Sequence, residues 1–340
     1  MQYSWQRVLM NTNMATAQPI STNWPGLETM ADDEQYREYH SRCWSVFVDM
    51  VEQENLSKDI LPQFENVYLP LTAWVASKHI DKPLVIGING AQGSGKSTLC
   101  KILESFLSTA FNKKVVSVSI DDLYLSRQER NNLANDIHPL LSVRGVPGTH
   151  DVSLGTQILS ELTKGVGSTG VTIPVFSKAD DDRLPEHAWR VINQSPDIIL
   201  FEGWCVGAQA QHESELKEPL NELEVSDDSD ARWRQYVNTQ LAGPYQSLFS
   251  YIDYLVMLKV PDMESVFEWR GLQEEKLASR CKQEGRTATS VMTPAEVSRF
   301  IMYYERITRS CLDEMPHRAH VLLELNKQHQ VSSVSVRDEV

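Results

Sequence analysis

Two adjacent carboxylates, Asp121 and Asp122, directly follow the apolar segment V-V-S-V-S-I at residues 115–120. Each negative charge raises the cost of ionising the other, so such a pair indicates either a turn or a site that uses negative charge. A third acid, Glu202, ends a second apolar run, D-I-I-L-F at 197–201. Carboxylates at the ends of buried strands can accept a proton from a hydroxyl group or hold Mg²⁺.

A glycine-rich segment upstream indicates what these acids face. Residues 90–97, G-A-Q-G-S-G-K-S, match the pattern G-x-x-x-x-G-K-[ST], follow the apolar run L-V-I-G-I at 84–88 and open a helical sequence. In such a loop the backbone N–H groups converge on phosphate oxygens at the positive end of a helix. The motif therefore predicts binding of ATP together with Mg²⁺. The predicted ATP-binding residues are Gly90, Ala91, Gln92, Gly93, Ser94, Gly95, Lys96, Ser97 and Thr98.

The side chains near this loop have separate predicted roles. Lys96 can reach the β- and γ-phosphates, and the Ser97 hydroxyl can ligate Mg²⁺. Asp121 is predicted to act as the catalytic base and to help hold the metal, while Glu202 is predicted to bind Mg²⁺ or its waters. For Asp122, a role in shaping the turn competes with a role in the site.

The segments that carry these residues predict an α/β fold built on a parallel sheet flanked by helices. Short apolar runs alternate with helical patterns, which is typical of parallel strands joined by right-handed crossovers. The predicted strands are 84–88, 115–120, 171–176, 197–201, 254–258 and 320–325. The sequence T-P-A-E at 293–296 predicts the start of a helix that runs to about residue 311.

Composition and pattern also predict how the chain is organised. We expect a poorly ordered leader, a helical N-terminal extension, a P-loop domain and a C-terminal tail, at 1–27, 28–80, 81–330 and 331–340, respectively. Within the domain, residues 209–234 are acidic and are predicted to form a solvated surface insertion. Residues 265–292 are predicted to contribute a helical lid.

Charge and cysteine usage restrict the class of protein. The 340 residues include 46 acidic and 32 basic ones, for a net charge of −14, which argues against a nucleic-acid partner. The five cysteines lack any C-x-x-C pair, a pattern typical of reduced thiols in the cytosol. The sequence lacks an apolar run of the roughly 18 residues that a membrane span requires. We therefore predict a cytoplasmic protein that does not bind membranes, and we leave its oligomeric state open.

Further motifs follow in a fixed order: R-G-V-P-G-T-H-D at 144–151, P-V-F-S-K at 174–178, F-E-G-W at 201–204 and E-W-R-G-L-Q-E-E-K-L at 268–277. Together with the glycine-rich loop and S-I-D-D-L-Y, they resemble the P-loop small-molecule kinases that include phosphoribulokinase, uridine kinase and prokaryotic-type pantothenate kinase. Within that group the chain most resembles the plant-type D-glycerate 3-kinase family. The resemblance covers about residues 60–330.

This resemblance implies transfer of the γ-phosphoryl group of ATP to a hydroxyl of a small metabolite, with D-glycerate as the leading candidate, which would give 3-phosphoglycerate. It implies that Asp121 is the catalytic base and that Arg270 belongs to the lid over ATP. The remaining positions that match the family's acceptor side are Asp122, Tyr124, Arg144, His150, Asp151 and Lys178.

Physical reasoning adds that a small anion such as glycerate needs a fixed cation, which favours Arg144 and Lys178, with Arg183 as a third candidate. Two alternatives stay open. One is a kinase for uridine, pantothenate or a sugar phosphate, for which Phe176, Trp189 and Trp204 offer aromatic surfaces. The other is a nucleotide-dependent switch protein that uses its acidic insertion or helical extension to bind a partner.

Overall fold

The computed structural model describes residues 20–25, 34–283 and 291–337. The helices of these ranges are α1 (Glu34–Gln53), α2 (Leu69–Lys78), α3 (Lys96–Thr109), α4 (Arg127–Asp136), α5 (Val152–Lys164), α6 (Glu222–Asp227), α7 (Arg232–Ala242), α8 (Pro244–Phe249), α9 (Met263–Gln283) and α10 (Pro294–Glu314). The strands are β1 (Ser21–Thr22), β2 (Leu84–Gly90), β3 (Val115–Ser119), β4 (Val171–Ile173), β5 (Phe176–Ser177), β6 (Asp182–Arg183), β7 (Arg190–Ile192), β8 (Ile198–Gly203), β9 (Tyr254–Lys259), β10 (Val321–Leu325) and β11 (Val331–Val336).

A largely parallel central sheet organises the described part of the chain. Its strand order is β1-β11-β10-β9-β2-β8-β3, and within it β11 runs antiparallel to β10. Strand β2, which leads into the glycine-rich loop, lies between β8 and β9. Glu202 is in register with both Ile88 of β2 and Ser119 of β3. The predicted α/β P-loop fold is confirmed.

The apolar strand sequences arise because helices cover both faces of this sheet. All seven residues of β2 are buried. Alternate residues point to opposite faces, so Ile86 packs in a core with α1 and α3, whereas Val85 packs in a second core with α5, α8 and α10. A parallel sheet covered in this way needs almost continuous apolar strands, which is the pattern that the sequence displays.

The predicted strand at 171–176 is wrong in one respect. Pro174 lies between β4 and β5, and these strands pair with β7 and β6 in two small antiparallel sheets outside the central one. Proline has no N–H group for a sheet ladder, so a continuous central strand cannot run through this position. The consequence is a short hairpin, Phe176–Arg183, that contacts the turn following β3.

The ends of the chain differ from the expected leader and tail. Residues 331–336, predicted as part of the C-terminal tail, form β11 of the central sheet. Residues 1–19 and 26–27 of the predicted leader lie outside the described residues, but Ser21–Thr22 pair with β11 and Trp24 is buried. The Trp24 indole donates a hydrogen bond to the Asn66 carbonyl oxygen at 2.8 Å.

Most residues of the acidic segment 209–234 are exposed, but two of its acids are not. Glu224 and Asp228 are fully buried. Glu224 pairs with Arg306 of α10 at 2.6 Å, and Asp228 pairs with Arg234 at 2.8 Å. These internal ion pairs allow the two negative charges to be buried.

The region predicted as a lid includes most of α9, while residues 284–290 lie outside the described ranges. Thr293 caps α10 through a capping box with Glu296, as predicted, and the helix ends at Glu314. Within the part of the chain that the structure describes, we find no helix with both the length and the apolar character needed to cross a bilayer.

Candidate active site

A cavity of about 960 Å³ opens where β2, β3 and β8 end at the same edge of the sheet. Parallel strands in open α/β sheets commonly deliver their ligand-binding residues to this edge. Its lining includes Gln92, Gly93, Lys96, Ser97, Ser119, Asp121, Tyr124, Arg144, Lys178, Asp181, Glu202, Trp204, Arg270, Gln273, Glu274, Phe300 and Tyr304. The glycine-rich loop and two of the predicted acids therefore face one space.

The glycine-rich loop has the conformation that an anion cradle requires. Gly93 and Gly95 have φ angles of 80° and 94°, in the left-handed region that favours glycine. Helix α3 begins directly afterwards at Lys96, so its positive end faces the cavity. The Lys96 ammonium donates to the Ala91 carbonyl oxygen at 3.0 Å. Burial lowers the pKa of Lys96, whereas Glu202 and Asp121 oppose that shift.

Ser97 and Glu202 form an oxygen-rich corner beside the loop. The Ser97 hydroxyl lies 3.3 Å from Oε1 of Glu202. Hydroxyl and carboxylate oxygens are the ligands that Mg²⁺ prefers, usually together with waters and substrate phosphates. The donor set therefore fits Mg²⁺, with room for a nucleotide to supply the remaining ligands.

Asp121 occupies a short turn directly after β3. Its two carboxylate oxygens accept hydrogen bonds from different groups: Oδ1 from the Tyr124 hydroxyl at 2.8 Å and Oδ2 from the Lys178 ammonium at 2.7 Å. Burial alone would raise the pKa of Asp121, but Lys178, Tyr124 and Lys96 together outweigh it and the pKa is lowered. Asp121 is therefore ionised at neutral pH and able to accept a proton.

Asp122 does not line the cavity. Its side chain accepts a hydrogen bond from the Phe176 N–H at 3.3 Å, and burial raises its pKa. Asp122 therefore contacts the neighbouring hairpin and does not line the cavity that Asp121 faces.

The loop 144–151 contributes Arg144 to the cavity but directs His150 and Asp151 elsewhere. Arg144 pairs with Asp181, and its guanidinium lies over the Phe176 ring at 5.5 Å. His150 is buried, bonds the Tyr245 hydroxyl at 2.6 Å and stacks on Tyr124.

Three of the residues predicted to bind the acceptor lie behind the wall of the cavity, namely His150, Asp151 and Arg183. Burial lowers the pKa of His150 to about 4, so its imidazole is neutral at neutral pH. Asp151 caps α5 by accepting the Leu154 N–H at 3.0 Å. Arg183 donates to the Tyr124 carbonyl oxygen at 2.9 Å. Each of them fixes the position of a neighbouring segment and does not line the cavity.

Comparison with known proteins identifies the fold and the family. Residues 64–187 match the model of the KAP family P-loop domain. The chain is 35% identical over 237 residues to the uncharacterized kinase mug58 of Schizosaccharomyces pombe, covering 66% of this chain and 79% of that protein. The chain therefore belongs to the same family of P-loop kinases as mug58.

Two further similar proteins both carry the name D-glycerate 3-kinase. The chloroplastic D-glycerate 3-kinase of Arabidopsis thaliana is 31% identical over 274 residues, which are 74% of this chain and 56% of the plant protein. The solved structure of D-glycerate 3-kinase from Cryptococcus neoformans var. grubii superposes with a TM-score of 0.64 at 22% identity, covering 83% of this chain and all of that one. This second likeness shows the fold that the two kinases share.

Helices α9 and α10 close one side of the kinase cavity. Arg270 of α9, the predicted lid residue, pairs with Glu274 at 2.5 Å and lies over Phe300 of α10 at 5.2 Å. Trp269 stacks on His329 with ring centroids 3.6 Å apart. Arg270 is therefore held at the cavity wall by one acid and one aromatic ring.

Sequence reasoning missed Arg130 and Tyr304. Arg130 is fully buried and donates to the Asp181 carboxylate at 3.0 Å, so it holds the residue that also pairs with Arg144. Tyr304 of α10 donates to the Arg144 carbonyl oxygen at 3.1 Å. Arg130 lies in the strongly polar helix α4, where nothing in the sequence distinguishes a buried arginine from a solvated one.

Replacing Gly145 with alanine is expected to destabilise the kinase by roughly 3 kcal/mol, at the upper end of overpacking effects. Gly145 has a φ of 136°, and a Cβ atom there would lie 2.1 Å from the Tyr304 hydroxyl oxygen. Urea unfolding measures the change. Gly271→Ala serves as the control, because a Cβ there meets no atom within 4 Å. Equal stabilities of the two variants would contradict the close packing of Tyr304 on this loop.

Proposed function

We propose that this kinase transfers the γ-phosphoryl group of ATP to a hydroxyl of D-glycerate and produces 3-phosphoglycerate. The observation that carries the proposal is the position of Asp121. It lies in one cavity with the phosphate-loop residue Lys96 and with Arg144 and Lys178, two cations suited to a carboxylate. The names of the plant and fungal relatives support the choice of D-glycerate.

In the proposed reaction, Lys96 and the loop N–H groups hold the triphosphate in line with the acceptor. Ser97 and Glu202 would hold Mg²⁺, which neutralises charge on the β- and γ-phosphates when bound. Asp121 accepts the proton of the acceptor hydroxyl as that oxygen attacks the γ-phosphorus. Helices α9 and α10 exclude water from the reacting groups, which limits wasteful hydrolysis.

Arg144 and Lys178 make the acceptor side suitable for a small anion. One Nη atom of Arg144 bonds Asp181, and the planar guanidinium has further donors for a carboxylate. Lys178 is 63% exposed, and its ammonium lies at the carboxylate that we propose as the base. Of the aromatic residues suggested for a nucleoside, Trp204 lines the cavity, whereas Phe176 and Trp189 do not. This favours a carboxylate acceptor over a nucleoside.

A panel of acceptors tests the proposed substrate. The purified chain is assayed with MgATP and D-glycerate, uridine, pantothenate or ribulose 5-phosphate, and ADP and the phosphorylated product are both quantified. We expect D-glycerate to give the highest kcat/KM, with one phosphoglycerate formed per ADP. A clear preference for any other acceptor would reject D-glycerate but retain the kinase.

Replacing Arg144 with alanine is expected to raise the KM for D-glycerate about 10- to 100-fold, the loss of one charged hydrogen-bonding contact. The KM for ATP should change less than twofold. Asp181 keeps its bond to Arg130, so the hairpin should keep its position. Steady-state kinetics measure both constants, with Arg309→Ala as the control because this arginine is half exposed and pairs with Glu305 on its own helix, α10. An unchanged KM for D-glycerate would remove Arg144 from the acceptor site.

A further inference from the structure

The hairpin formed by β5 and β6 brings Lys178 into contact with Asp121 before any substrate is bound. The ammonium lies 2.7 Å from Oδ2, and the Tyr124 hydroxyl occupies Oδ1 at 2.8 Å. Both oxygens of the proposed base therefore already have donors. An incoming hydroxyl group needs one of these oxygens to be accessible if it is to lose its proton there.

Buried and main-chain contacts anchor this hairpin, whereas the Lys178 side chain is mostly exposed to solvent. Asp181 is bonded by the fully buried Arg130 at 3.0 Å, and the Arg127 N–H donates to the Asp182 carboxylate at 3.0 Å. Lys178 itself is 63% exposed and has a flexible four-carbon stem. The hairpin thus anchors the Lys178 backbone beside the base, and rotation about the side-chain bonds can carry the ammonium group to another partner within reach.

An unprotected carboxylate beside a bound triphosphate would also activate water. Attack by water would form a bond from its oxygen to the γ-phosphorus and break the bond to the β-phosphate oxygen, giving ADP and inorganic phosphate. The proton would pass to Asp121 in the same way as the proton of a true acceptor. A kinase therefore benefits from a group that covers the base until the acceptor arrives.

We propose that Lys178 is a specificity-determining residue that covers Asp121 until the carboxylate of the acceptor draws it away. The inference rests on the proposed function and extends it to the choice between acceptor and water. Exchanging the Asp121 carboxylate for the carboxylate of the acceptor costs little free energy, because the Lys178 ammonium stays paired with a negative charge. Water and uncharged alcohols offer no such partner, so they leave the base covered.

The released Asp121 Oδ2 then accepts the proton of the acceptor hydroxyl. The acceptor oxygen forms its bond to the γ-phosphorus while the bond to the β-phosphate oxygen breaks, and ADP leaves with that electron pair. Lys96 still faces Asp121 after Lys178 moves, so the carboxylate keeps a positive neighbour. The Lys178 ammonium then lies beside Arg144, and both cations contact the carboxylate of the acceptor.

The test is the rate of ATP hydrolysis without any acceptor in Lys178→Met. We expect this rate to rise about tenfold, a part of the roughly 10²- to 10⁴-fold that a general base contributes. The KM for D-glycerate should rise in the same variant, whereas Lys178→Arg, which keeps the charge, should retain slow hydrolysis. Lys101→Met is the matched control, because Lys101 is similarly exposed and pairs with Glu54 at 2.7 Å away from the cavity.

Hydrolysis by Lys178→Met that stays within twofold of the unaltered protein would overturn the inference. A parallel fall in hydrolysis and in phosphorylation would overturn it as well, since Lys178 would then assist transfer to every acceptor. Failure of the unaltered protein to phosphorylate D-glycerate would instead reject the proposed function. The hydrolysis comparison needs no acceptor, so it separates these two failures.

Discussion

Asp121→Asn is expected to lower kcat for phosphoryl transfer about 10³-fold, within the range that a positioned general base contributes. Asparagine keeps the shape and can still accept the Tyr124 hydrogen bond, but its amide oxygen cannot take the proton of an attacking hydroxyl. The affinity for ATP should change little, because Lys96 and the loop N–H groups remain. Rapid-quench kinetics measure the transfer step, and calorimetry measures nucleotide binding.

Asp122 provides a matched comparison for the effect of Asp121→Asn on kcat. Asp122 has the same residue type one position later, but it bonds the Phe176 N–H and does not line the cavity. We expect Asp122→Asn to lower kcat by less than about tenfold, because the asparagine amide oxygen can still accept the hydrogen bond from the Phe176 N–H. Equal losses in the two variants would contradict the assignment of Asp121 as the base.

Lys96→Met is expected to lower kcat about 10²- to 10³-fold, the effect of removing one preorganised group that stabilises transition-state charge. It should also weaken ATP binding, because methionine fills the same space without charge at the start of α3. Burial lowers the pKa of Lys96, and the negative charges of Glu202 and Asp121 oppose that shift.

The control for this variant lies on the same helix. Lys101 points away from the cavity and pairs with Glu54, so Lys101→Met should retain both ATP affinity and turnover. Calorimetry with an ATP analogue and initial-rate assays give the two quantities. ATP binding and turnover that survive in Lys96→Met would mean that the triphosphate lies elsewhere.

The sequence predicts the central strands well because burial on both faces requires apolar runs. Strands β2 and β8 carry such runs; β8 ends at Glu202 and Gly203, which line the cavity, and β2 leads into the loop whose Gln92 and Gly93 line it. Strand β11, V-S-S-V-S-V, was missed because its serines alternate with valines near the sheet edge and resemble a polar tail. The error at 171–176 arose where two short strands flank Pro174, since length alone suggested one strand.

Part of the site could likewise be predicted from local sequence motifs, whereas the rest depends on contacts between residues far apart in the sequence. Lys96, Ser97 and Glu202 belong to contiguous motifs, and the register of parallel strands brings them together. The position of His150 depends on Tyr245, which is 95 residues away along the chain. Such contacts are set by tertiary packing, so adjacency to Arg144 in sequence could not show that His150 faces the interior.

A crystal structure of the complex with Mg²⁺, a non-hydrolysable ATP analogue and D-glycerate tests the catalytic assignment most directly. We expect the acceptor's 3-hydroxyl oxygen within about 3 Å of a carboxylate oxygen of Asp121, the reach of a general base. Glu202 and Ser97 should lie at the metal, and the Lys178 ammonium should have moved to the bound carboxylate. An acceptor whose hydroxyl lies beyond reach of Asp121, beside a correctly seated nucleotide, would contradict the mechanism.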